Sequence, residues 1–548
     1  MNFASPDTPQ DEASRIIRQF ARETNLLVAG RPLQVIGADA LAQSVRETAR
    51  ALGAQVVGDY RCRPPLASVP TEAPAPTSTA DSTCPPFAGS AAANRPDLLE
   101  IDVTSTPARL SLGGSPLAPR GTAAGRVDFA GAHMPATGAL AAELAAAGTV
   151  AGLRIGVCLM LEPKTAQLAL HLAKAGASVA VYAHPDETDA DVAQVLRERG
   201  IRVDADASLT GAAEREAALG FLRQGFDVLV DDGSHLIRLA HEAAPEEVAR
   251  WMGASEETTS GLTPLREMES AGILATPIIA ANDAATKTGF DNRYGTGQSC
   301  VFAIADLLEG AGVRLRDQPA LVIGYGPVGQ GVAAHLTALG AEVCVAEVNP
   351  VRALLAQHDG YRVGHAADLG VDALVVSATG VEGTVTAELL RAAQAVAVAG
   401  GVPGEIDLDG VLGDAAAPLD TLEPISRAVE RLAVAGTLVL DRGGCINVTA
   451  AEGNPIEIMD LSFATQLAAI RELVTTRPCI GVLPVSDAAV AHVGSVAARL
   501  RGVDVDLPHR ARILGADHGV GVAWQSPRFS RSSHLNPGGL TSPHQETS

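Results

Sequence analysis

Three clusters of polar side chains in the middle of the sequence contain the residue types that proton transfer and hydroxyl binding need. The first follows an apolar stretch and reads DDGSH (231–235). The second is SEETTSG (255–261), and the third runs from 282 to 292. Within the third, Lys287 and Asp291 are four residues apart, so a helix would place them on one face. Alone, such a pair is usually a solvated ion pair, but three clusters in one domain favour a functional site.

A glycine-rich loop further along the chain indicates a dinucleotide site. Gly324-Tyr325-Gly326-Pro327-Val328-Gly329 follows an apolar strand and opens an Ala-rich helix. In such a loop the glycines allow a tight turn, close approach to a pyrophosphate and close packing of helix on strand. Glu347 ends the next strand, where its carboxylate can bind the adenosine ribose hydroxyls and would repel a 2′-phosphate. The pattern predicts NAD rather than NADP as cofactor, and an empty Rossmann-like domain is the alternative.

Alternating strand and helix patterns must position these residues. Stretches 31–57, 153–182 and 320–347 each read as strand, helix and strand, which predicts parallel sheets with right-handed crossovers. The fold class is therefore α/β, with a Rossmann NAD-binding domain inserted in a second α/β substrate domain. The 31–57 turn lacks two of the loop glycines, so we expect no second dinucleotide there. The predicted boundaries are an N-terminal α/β extension 1–62, a linker and irregular region 63–130 with a flexible stretch at 71–86, a substrate domain 131–298, the Rossmann domain 299–448, a return to the substrate domain 449–505 and a partly disordered tail 506–548.

Composition excludes several classes of partner. The net charge of -22 and the 3% of aromatic residues argue against nucleic acid, which needs a basic face and stacking platforms. The seven cysteines are scattered without a Cys-x-x-Cys pair, which is typical of reduced thiols and predicts no metal site. The start has no signal-peptide pattern and no apolar run is long enough for a membrane span. We therefore expect a cytoplasmic protein.

Several long segments resemble the signature segments of adenosylhomocysteine hydrolases. They are EETTSGLTPL, NDAATKTGFDNRYG, VIGYGPVGQG, AEVNPVRALLAQHDGYRV, and Gly444-Cys445-Ile446-Asn447 with the following GNPIEIMDLSF. The similarity extends from about Met134 to about Leu500. The resemblance implies an enzyme that binds NAD tightly and oxidises the 3′-hydroxyl of a ribose. The ketone acidifies the neighbouring C–H, the 5′ thiol is eliminated, water adds and the ketone is reduced again.

The resemblance also implies roles for individual residues. Glu257, Lys287 and Asp291 would hold the ribose hydroxyls, and Lys287 would accept the hydroxyl proton. That role requires a lowered pKa for this lysine, which burial beside a positively polarised nicotinamide could supply. Asp232 and Asn292 match the family's proton-handling positions. Thr258, Thr259, Ser260 and Asn447 match positions that contact NAD, and Asn349 and Thr379 complete the predicted cofactor contacts.

The departures from the family's pattern are concentrated at one part of the site. The family's Cys-Leu-His-x-Thr-x-Glu, which supplies a relay histidine and two adenine contacts, is replaced by a run with Met160, Glu162 and Lys164 at those three positions. Two further histidines are replaced by Gly401 and Asn454, and a cysteine near the nicotinamide by Thr296. HGVGVAWQ (518–525) offers nothing like the family's Lys- and Tyr-bearing tail. His235, where the family usually has Asp, could restore a proton carrier, although a lone histidine is more often structural.

The sequence thus predicts an NAD-dependent enzyme that oxidises a secondary hydroxyl of a nucleoside-like or polyol-like small molecule, with redox-neutral elimination or hydrolysis. True adenosylhomocysteine hydrolysis and a catalytically silent NAD-binding regulator are the alternatives. If Glu162 and Lys164 face the pocket, adenosylhomocysteine should be a poor substrate, because each unmatched polar group on a buried base costs about 1–3 kcal/mol. We expect a homo-oligomer, either a dimer or a tetramer.

Overall fold

The computed structural model describes residues 7–57, 96–117, 121–402, 404–414 and 417–506. Residues 7–57 and 96–117 form what we call the N-terminal region. Its sheet has the order β2-β1-β3-β4-β5, in which β1 is parallel to β2 and β3 and the remaining pairs are antiparallel. Its elements are α1 (Pro9–Thr24), β1 (Pro32–Ile36), α2 (Ala40–Ala51), β2 (Gln55–Val56), β3 (Leu99–Asp102), β4 (Arg109–Leu112) and β5 (Ser115–Pro116).

The prediction of a linker and irregular region over 63–130 is wrong for residues 99–116, which form three strands of this sheet. Leu99 and Ile101 alternate with half-buried residues along β3 and pack into the core. Their strands are short and bounded by Thr, Ser, Pro and Gly, so the period-2 pattern was too brief to identify from the sequence. The predicted flexible stretch at 71–86 lies outside the described residues.

The substrate domain contains a seven-stranded sheet that is parallel throughout. It begins with the helices α3 and α4, and a strand from the far end of the chain completes the sheet. Its first elements are α3 (Ala123–Ala132), α4 (Pro135–Ala147), β6 (Arg154–Cys158), α5 (Pro163–Lys174), β7 (Ser178–Tyr182), α6 (Ala190–Glu198), β8 (Arg202–Val203), α7 (Gly211–Leu222), β9 (Val228–Asp231), α8 (His235–Ala243), α9 (Pro245–Val248), β10 (Gly253–Glu256), α10 (Thr259–Ser270), β11 (Pro277–Ala280), α11 (Ala285–Thr288) and α12 (Thr296–Gly310), with a π-helical turn over Asp291–Gly295.

The Rossmann domain follows α12. Its sheet has the order β14-β13-β12-β15-β16-β21-β20-β19, so its first six positions repeat the doubly wound order of dinucleotide-binding domains, and β20 and β19 add an antiparallel edge. Its elements are β12 (Pro319–Ile323), α13 (Pro327–Ala338), β13 (Glu342–Ala346), α14 (Pro350–His358), β14 (Arg362–Val363), α15 (Ala366–Leu369), β15 (Leu374–Ser377), α16 (Ala387–Ala392), β16 (Ala395–Val398), α17 (Asp409–Leu412), the hairpin strands β17 (Gly413–Asp414) and β18 (Ala417–Pro418), β19 (Leu422–Ser426), β20 (Val429–Leu432), β21 (Leu438–Leu440) and α18 (Ile446–Thr449).

The chain then returns to the substrate domain through α19 (Ile456–Thr476), β22 (Gly481–Pro484) and α20 (Asp487–Leu500). The last strand β22 pairs in parallel with β11, giving the order β22-β11-β10-β9-β6-β7-β8. Because β11 precedes the Rossmann domain and β22 follows it, the predicted α/β class with an inserted Rossmann domain is confirmed. Within the described ranges, no helix combines the length and apolar character that crossing a membrane requires.

Candidate active site

The carboxyl ends of the substrate-domain strands bring the predicted polar clusters together. Strand β9 ends at Asp231, and the neighbouring β10 ends at Glu256 in register with it. Strand β11 ends beside β10, so the 282–292 segment starts at the same edge. The chain runs outward in opposite directions from β6 and β9, and such a switch point is where open α/β sheets place ligands.

Lys287 occupies the centre of this edge, and only 3% of the residue is exposed. Its ammonium lies 2.8 Å from Asp291 Oδ2 and donates to Asn292 Oδ1 at 2.9 Å and Asn282 Oδ1 at 3.2 Å. Lys287 lies in the single helical turn α11 and Asp291 begins the π-helical turn, so the two side chains meet across a break rather than along one regular helix. The predicted Lys287, Asp291 and Asn292 therefore form one cluster.

Glu257 faces this cluster with one oxygen unused. Its Oε2 accepts a hydrogen bond from Gln466 Nε2 of α19. Its Oε1 lies 4.0 Å from the Lys287 ammonium and has no hydrogen-bond partner among the described residues, although it is buried. Since buried acceptors are normally satisfied, this atom fits a ligand hydroxyl. Burial, opposed by Lys287, raises the pKa of Glu257 to about 7.

The protein groups around Lys287 do not by themselves supply the lowered pKa that the sequence prediction attributed to burial beside the nicotinamide. Burial alone would lower the pKa of Lys287, but Asp291, Glu257 and Asp232 outweigh burial and raise it above its ordinary value. Lys287 therefore carries a positive charge at neutral pH and donates hydrogen bonds. Burial also raises the pKa of Asp232, with Lys287 pulling in the opposite direction. The cluster concentrates carboxyl groups whose proton affinity is high, which suits proton exchange with a ligand.

The predicted cofactor contacts of the substrate domain sit at the start of α10. Thr258 caps this helix, because its Oγ1 accepts from Gly261 N, and it also accepts from Gly233 N at 3.0 Å. Thr259 Oγ1 accepts from Asn282 Nδ2 at 3.0 Å, and Ser260 Oγ donates to Thr258. All three threonine and serine side chains therefore have structural bonds as well as a position at the cavity.

The glycine-rich loop has the shape that a pyrophosphate requires. Gly324 has φ +92°, a left-handed conformation that favours glycine. A Cβ on Gly329 would clash with the carbonyl of Gly324, so only glycine allows this contact of helix and strand. Gly326 stands directly before α13, whose free N–H groups face the loop. These residues fit the dinucleotide expected from the sequence.

Glu347 stands beside the loop as predicted. Its Oε2 accepts from Tyr325 N at 2.6 Å and its Oε1 from Asn349 N at 2.7 Å, so the carboxylate is fixed by backbone groups. Asn349 caps α14 through Val351 N and Arg352 N, a structural use of a predicted cofactor residue. Thr379 lies next to Gly324 and bonds to Glu405 Oε2 at 3.2 Å.

One cavity of about 210 Å³ joins these parts. The five predicted catalytic residues all line it, as do residues of the Rossmann domain such as Val328 and Asn447. The substrate-binding cluster and the start of the cofactor helix thus open into the same space. The catalytic residues concerned are Asp232, Glu257, Lys287, Asp291 and Asn292.

Comparisons with known proteins agree with this arrangement. Residues 292–453 match the family model "S-adenosyl-L-homocysteine hydrolase, NAD binding domain". The adenosylhomocysteinase of Archaeoglobus fulgidus is 35% identical over 351 residues, covering 63% of this chain and 85% of that protein. The S-inosyl-L-homocysteine hydrolase of Methanopyrus kandleri is 35% identical over 364 residues (65% and 84%), and that of Methanosarcina mazei is 34% identical over 395 residues (70% and 93%).

The chain belongs to the adenosylhomocysteinase superfamily. It is an NAD-dependent enzyme of this kind, and NAD is its cofactor. In the alignments with the Archaeoglobus and Methanopyrus proteins, more than a third of this chain has no counterpart in the relative.

The departures of this chain from the family's pattern at residues 160–164 line the same cavity, at what we call its base end. Glu162 and Lys164 both line it. They form an ion pair of 2.7 Å, and the Lys164 ammonium donates to the carbonyl of Glu452 at 2.7 Å. Glu162 also caps α5 by accepting from the backbone N–H groups of Lys164 and Thr165. Met160 and Gly401 line the same space, so the condition attached to the sequence prediction, that these charges face the pocket, is met.

Asn454, at the position of a family histidine, links the catalytic cluster to the predicted cofactor residue Asn447. Its Nδ2 donates to Asp291 Oδ1 at 2.5 Å and to Thr296 Oγ1 at 3.1 Å. Its Oδ1 accepts from Ser299 Oγ and from Asn447 Nδ2. This side chain replaces an ionisable ring by an amide that fixes the catalytic carboxylate.

Other cavity residues were missed from the sequence. Glu187 follows β7 and lines the cavity, and burial together with Asp232 raises its pKa to about 8. Its position after a strand end was the signal that could have found it. His235 is not among the lining residues: its ring meets that of His184 edge to face, and burial with His184 lowers the pKa of His235 to about 4. A neutral ring in that place argues against His235 as the replacement proton carrier.

Proposed function

We propose that this enzyme oxidises a secondary, ribose 3′-type hydroxyl of a nucleoside-like thioether to a ketone. The 5′ thiol is then eliminated, water adds in its place and the ketone is reduced again. The observation that carries the proposal is the buried Glu257 Oε1, which has no hydrogen-bond partner in the described part of the chain. It faces the Lys287 ammonium in a cavity shared with the cofactor domain. A hydroxyl there would donate to Glu257 and accept from Lys287. This pairing satisfies both protein groups at once.

The surrounding residues support a division of roles. Lys287, held charged by Asp291 and Glu257, polarises the hydroxyl oxygen, and Glu257 takes its proton. Asn292 and Asn282 orient the ammonium. We assign to Asp232, which lines the same cavity, the role of taking the proton from the carbon next to the ketone. Bound NAD supplies the acceptor for the substrate hydride and afterwards its donor.

The ion pair at the other end of the cavity supports a particular kind of base. Lys164 stands where the resembling family has a carboxylate that contacts adenine, and an ammonium offers only donors. Adenine presents an amino group there, which is also a donor. A base with a carbonyl next to an N–H, as in hypoxanthine, would match the adjacent ammonium of Lys164 and carboxylate of Glu162. Two of the relatives are named for S-inosyl-L-homocysteine, whose base has this edge.

The test is a thiol-release assay of the NAD-loaded protein with S-inosylhomocysteine and S-adenosylhomocysteine. We expect turnover of the inosyl compound and at least about tenfold lower kcat/KM for the adenosyl compound, since one unmatched buried group costs about 1–3 kcal/mol. Preferred turnover of the adenosyl compound would establish the plain family activity instead. If both compounds, and a panel of free nucleosides and polyols, leave bound NAD oxidised, the protein is a silent regulator and the proposal fails.

Two further parts of the proposal concern the protein as a whole. We propose that it works in the cytoplasm on a small-molecule substrate and assembles as a dimer or tetramer. Light scattering of the purified NAD-bound protein measures the assembly directly. A monomer at micromolar concentration would contradict it.

A further inference from the structure

The N-terminal region contacts a loop that carries Asn454, the residue bonded to Asp291. The loop Glu452–Ile456 leads from the Rossmann domain into α19. Asn25, just after α1, has a buried side chain whose Nδ2 donates to the carbonyl of Glu452 at 3.1 Å and lies 3.5 Å from that of Asn454. Ile456 N donates back to the Asn25 carbonyl at 2.9 Å. Three contacts therefore join one asparagine to this loop.

The carbonyl of Glu452 has a second partner inside the cavity. The Lys164 ammonium donates to the same oxygen at 2.7 Å. Lys164 is one of the residues that depart from the family's pattern. Thus the N-terminal region, which precedes the part of the chain resembling the family, and the altered base end of the cavity meet at one atom.

The same loop also reaches the catalytic end. Asn454 holds Asp291, and Asp291 holds the Lys287 ammonium at 2.8 Å. A displacement of the loop would therefore change the positions of Lys164 and Asp291 together. Neighbouring bonds brace the connection, since Leu27 N donates to Glu457 and Val28 N donates to Gln298 of α12 at 2.9 and 2.8 Å.

A cleft of about 850 Å³ extends from the same place. It shares Met160, Glu162 and Glu187 with the catalytic cavity, and α1 forms part of its wall through Ala21 and Arg22. A substrate group that projects beyond the cavity would enter this cleft and contact α1. The wall is anchored, because Arg18 and Arg22 form ion pairs with Asp306 of α12.

We propose that the N-terminal region is part of the substrate site, with Asn25 as a positioning residue for the Glu452–Ile456 loop and α1 as a wall that selects the group projecting from the cavity. The selection of substrate rests on the proposed function. The positioning of the loop does not, because hydrogen bonds within the protein carry it. The group selected is the part of the thioether beyond the ribose and its base, a flexible polar chain that fits the charged cleft.

Three variants of the full-length, NAD-loaded protein test this inference. Asn25 has φ +52°, so Asn25→Gly keeps the left-handed backbone and removes only the side-chain donor. Asn25→Asp keeps the shape and removes the N–H groups. Ala21→Trp adds bulk to the wall of the cleft and removes no side-chain hydrogen bond to the loop. Gln19→Ala is the matched control on α1, because the bond of Gln19 is to Glu23 within the same helix.

Hydrogen exchange of residues 452–456 is the readout for positioning and needs no substrate. We expect exchange to be at least about fivefold faster in Asn25→Gly and Asn25→Asp than in the wild type or Gln19→Ala, with NAD affinity unchanged, since a lost hydrogen bond is worth roughly this factor or more. Equal exchange in all four proteins would overturn the positioning role. If Asn25→Gly fails to fold, Asn25→Asp supplies the same comparison.

Kinetics with the nucleoside thioether are the readout for selection. Ala21→Trp should raise KM about tenfold with kcat nearly unchanged, while free inosine, which lacks the projecting chain, should bind to wild type and variant alike. An unchanged KM for Ala21→Trp would overturn the selecting wall. Wild-type protein that turns over no thioether contradicts the proposed function and with it the selecting role, whereas the exchange result still decides the positioning role.

Discussion

Two of the three lysines in this chain line the same cavity, and their surroundings differ in a way that separates chemistry from support. Lys164 forms an ion pair with Glu162, which also caps a helix, and its ammonium bonds to a backbone carbonyl. Lys287 faces three carboxyl groups, and one oxygen of Glu257 stays without a described partner. The buried acceptor left over on Glu257 fits a ligand group, whereas Glu162 and Lys164, which pair with each other, shape the space around the ligand.

The largest effect should follow from removing the catalytic lysine. Lys287→Ala should lower the rate of NAD reduction by roughly 10³-fold, because the donor to the developing oxyanion is lost and three carboxyl groups face one another. NAD affinity, measured by calorimetry, should stay within about threefold of the wild type. Lys174→Ala, at the exposed third lysine, is the control and should be unaffected. Near-normal NADH formation in Lys287→Ala would remove Lys287 from the reaction.

A smaller loss, of about 10²-fold, is expected for Glu257→Gln, since the amide keeps the shape but cannot take a proton. The pKa of Glu257 is raised to about 7, so the carboxyl is protonated below this pH and ionised above it. NAD reduction in the wild type should therefore rise as the pH increases through about 7. The residual rate of Glu257→Gln should lack this rise, and a wild-type rate that falls over the same range would exclude Glu257 as the base.

The Lys164 end should change selectivity rather than catalysis. The double variant Glu162→Thr with Lys164→Glu restores the residue types of the family's pattern. It should move the ratio of kcat/KM for the adenosyl over the inosyl compound upward by about tenfold or more, because a donor facing the base is replaced by an acceptor. An unchanged ratio would mean that these side chains do not read the base. If the double variant changes this ratio but leaves the rate of NAD reduction near the wild-type value, recognition of the base and catalysis are carried by different residues.

The smallest effect is on stability. Burial raises the pKa values of Glu257 and Asp231 to about 7 and of Glu187 to about 8, so the folded protein holds more protons than the unfolded chain between about pH 4 and these values. Stability must then fall as the pH rises through this window. We expect the Tm of the cofactor-free protein to be a few degrees lower at pH 8.5 than at pH 6. Glu257→Gln should reduce this difference, and a Tm that rises with pH would contradict the buried acidic cluster.

The sequence identified the parts of this site that are local in the chain. The glycine loop with Glu347 and the Lys287–Asp291 spacing each lie within a few dozen residues, and their chemistry depends on backbone geometry that short motifs encode. The contacts of Asn454 with Asp291 and of Gln466 with Glu257 join residues far apart in sequence. Periodicity carries no information about such pairs. The raised pKa of Lys287 could not be read from the sequence for the same reason, because the number of carboxyl groups that converge on it is a property of the folded chain.

The N-terminal region is a second part of the molecule that the sequence predicted only in part. Its first strand–helix unit was predicted, but the strands at 99–116 pair across a long stretch of chain and are too short to show a pattern. Its role at the Glu452 carbonyl depends on the hydrogen bond from the Asn25 side chain, which no sequence motif predicts. Both features could be found only once the strands and the loop were placed in space.

The measurement that tests the central claim most directly is the absorbance of NADH after mixing NAD-loaded protein with S-inosylhomocysteine in a stopped-flow instrument. We expect bound NADH to form rapidly, at a rate that increases with pH through about 7. Thiol should then be released and the absorbance should return to its starting value. For Lys287→Ala at equal NAD occupancy, we expect no such signal. Thiol release without any NADH signal, or an equal signal from Lys287→Ala, would contradict the oxidation site described here.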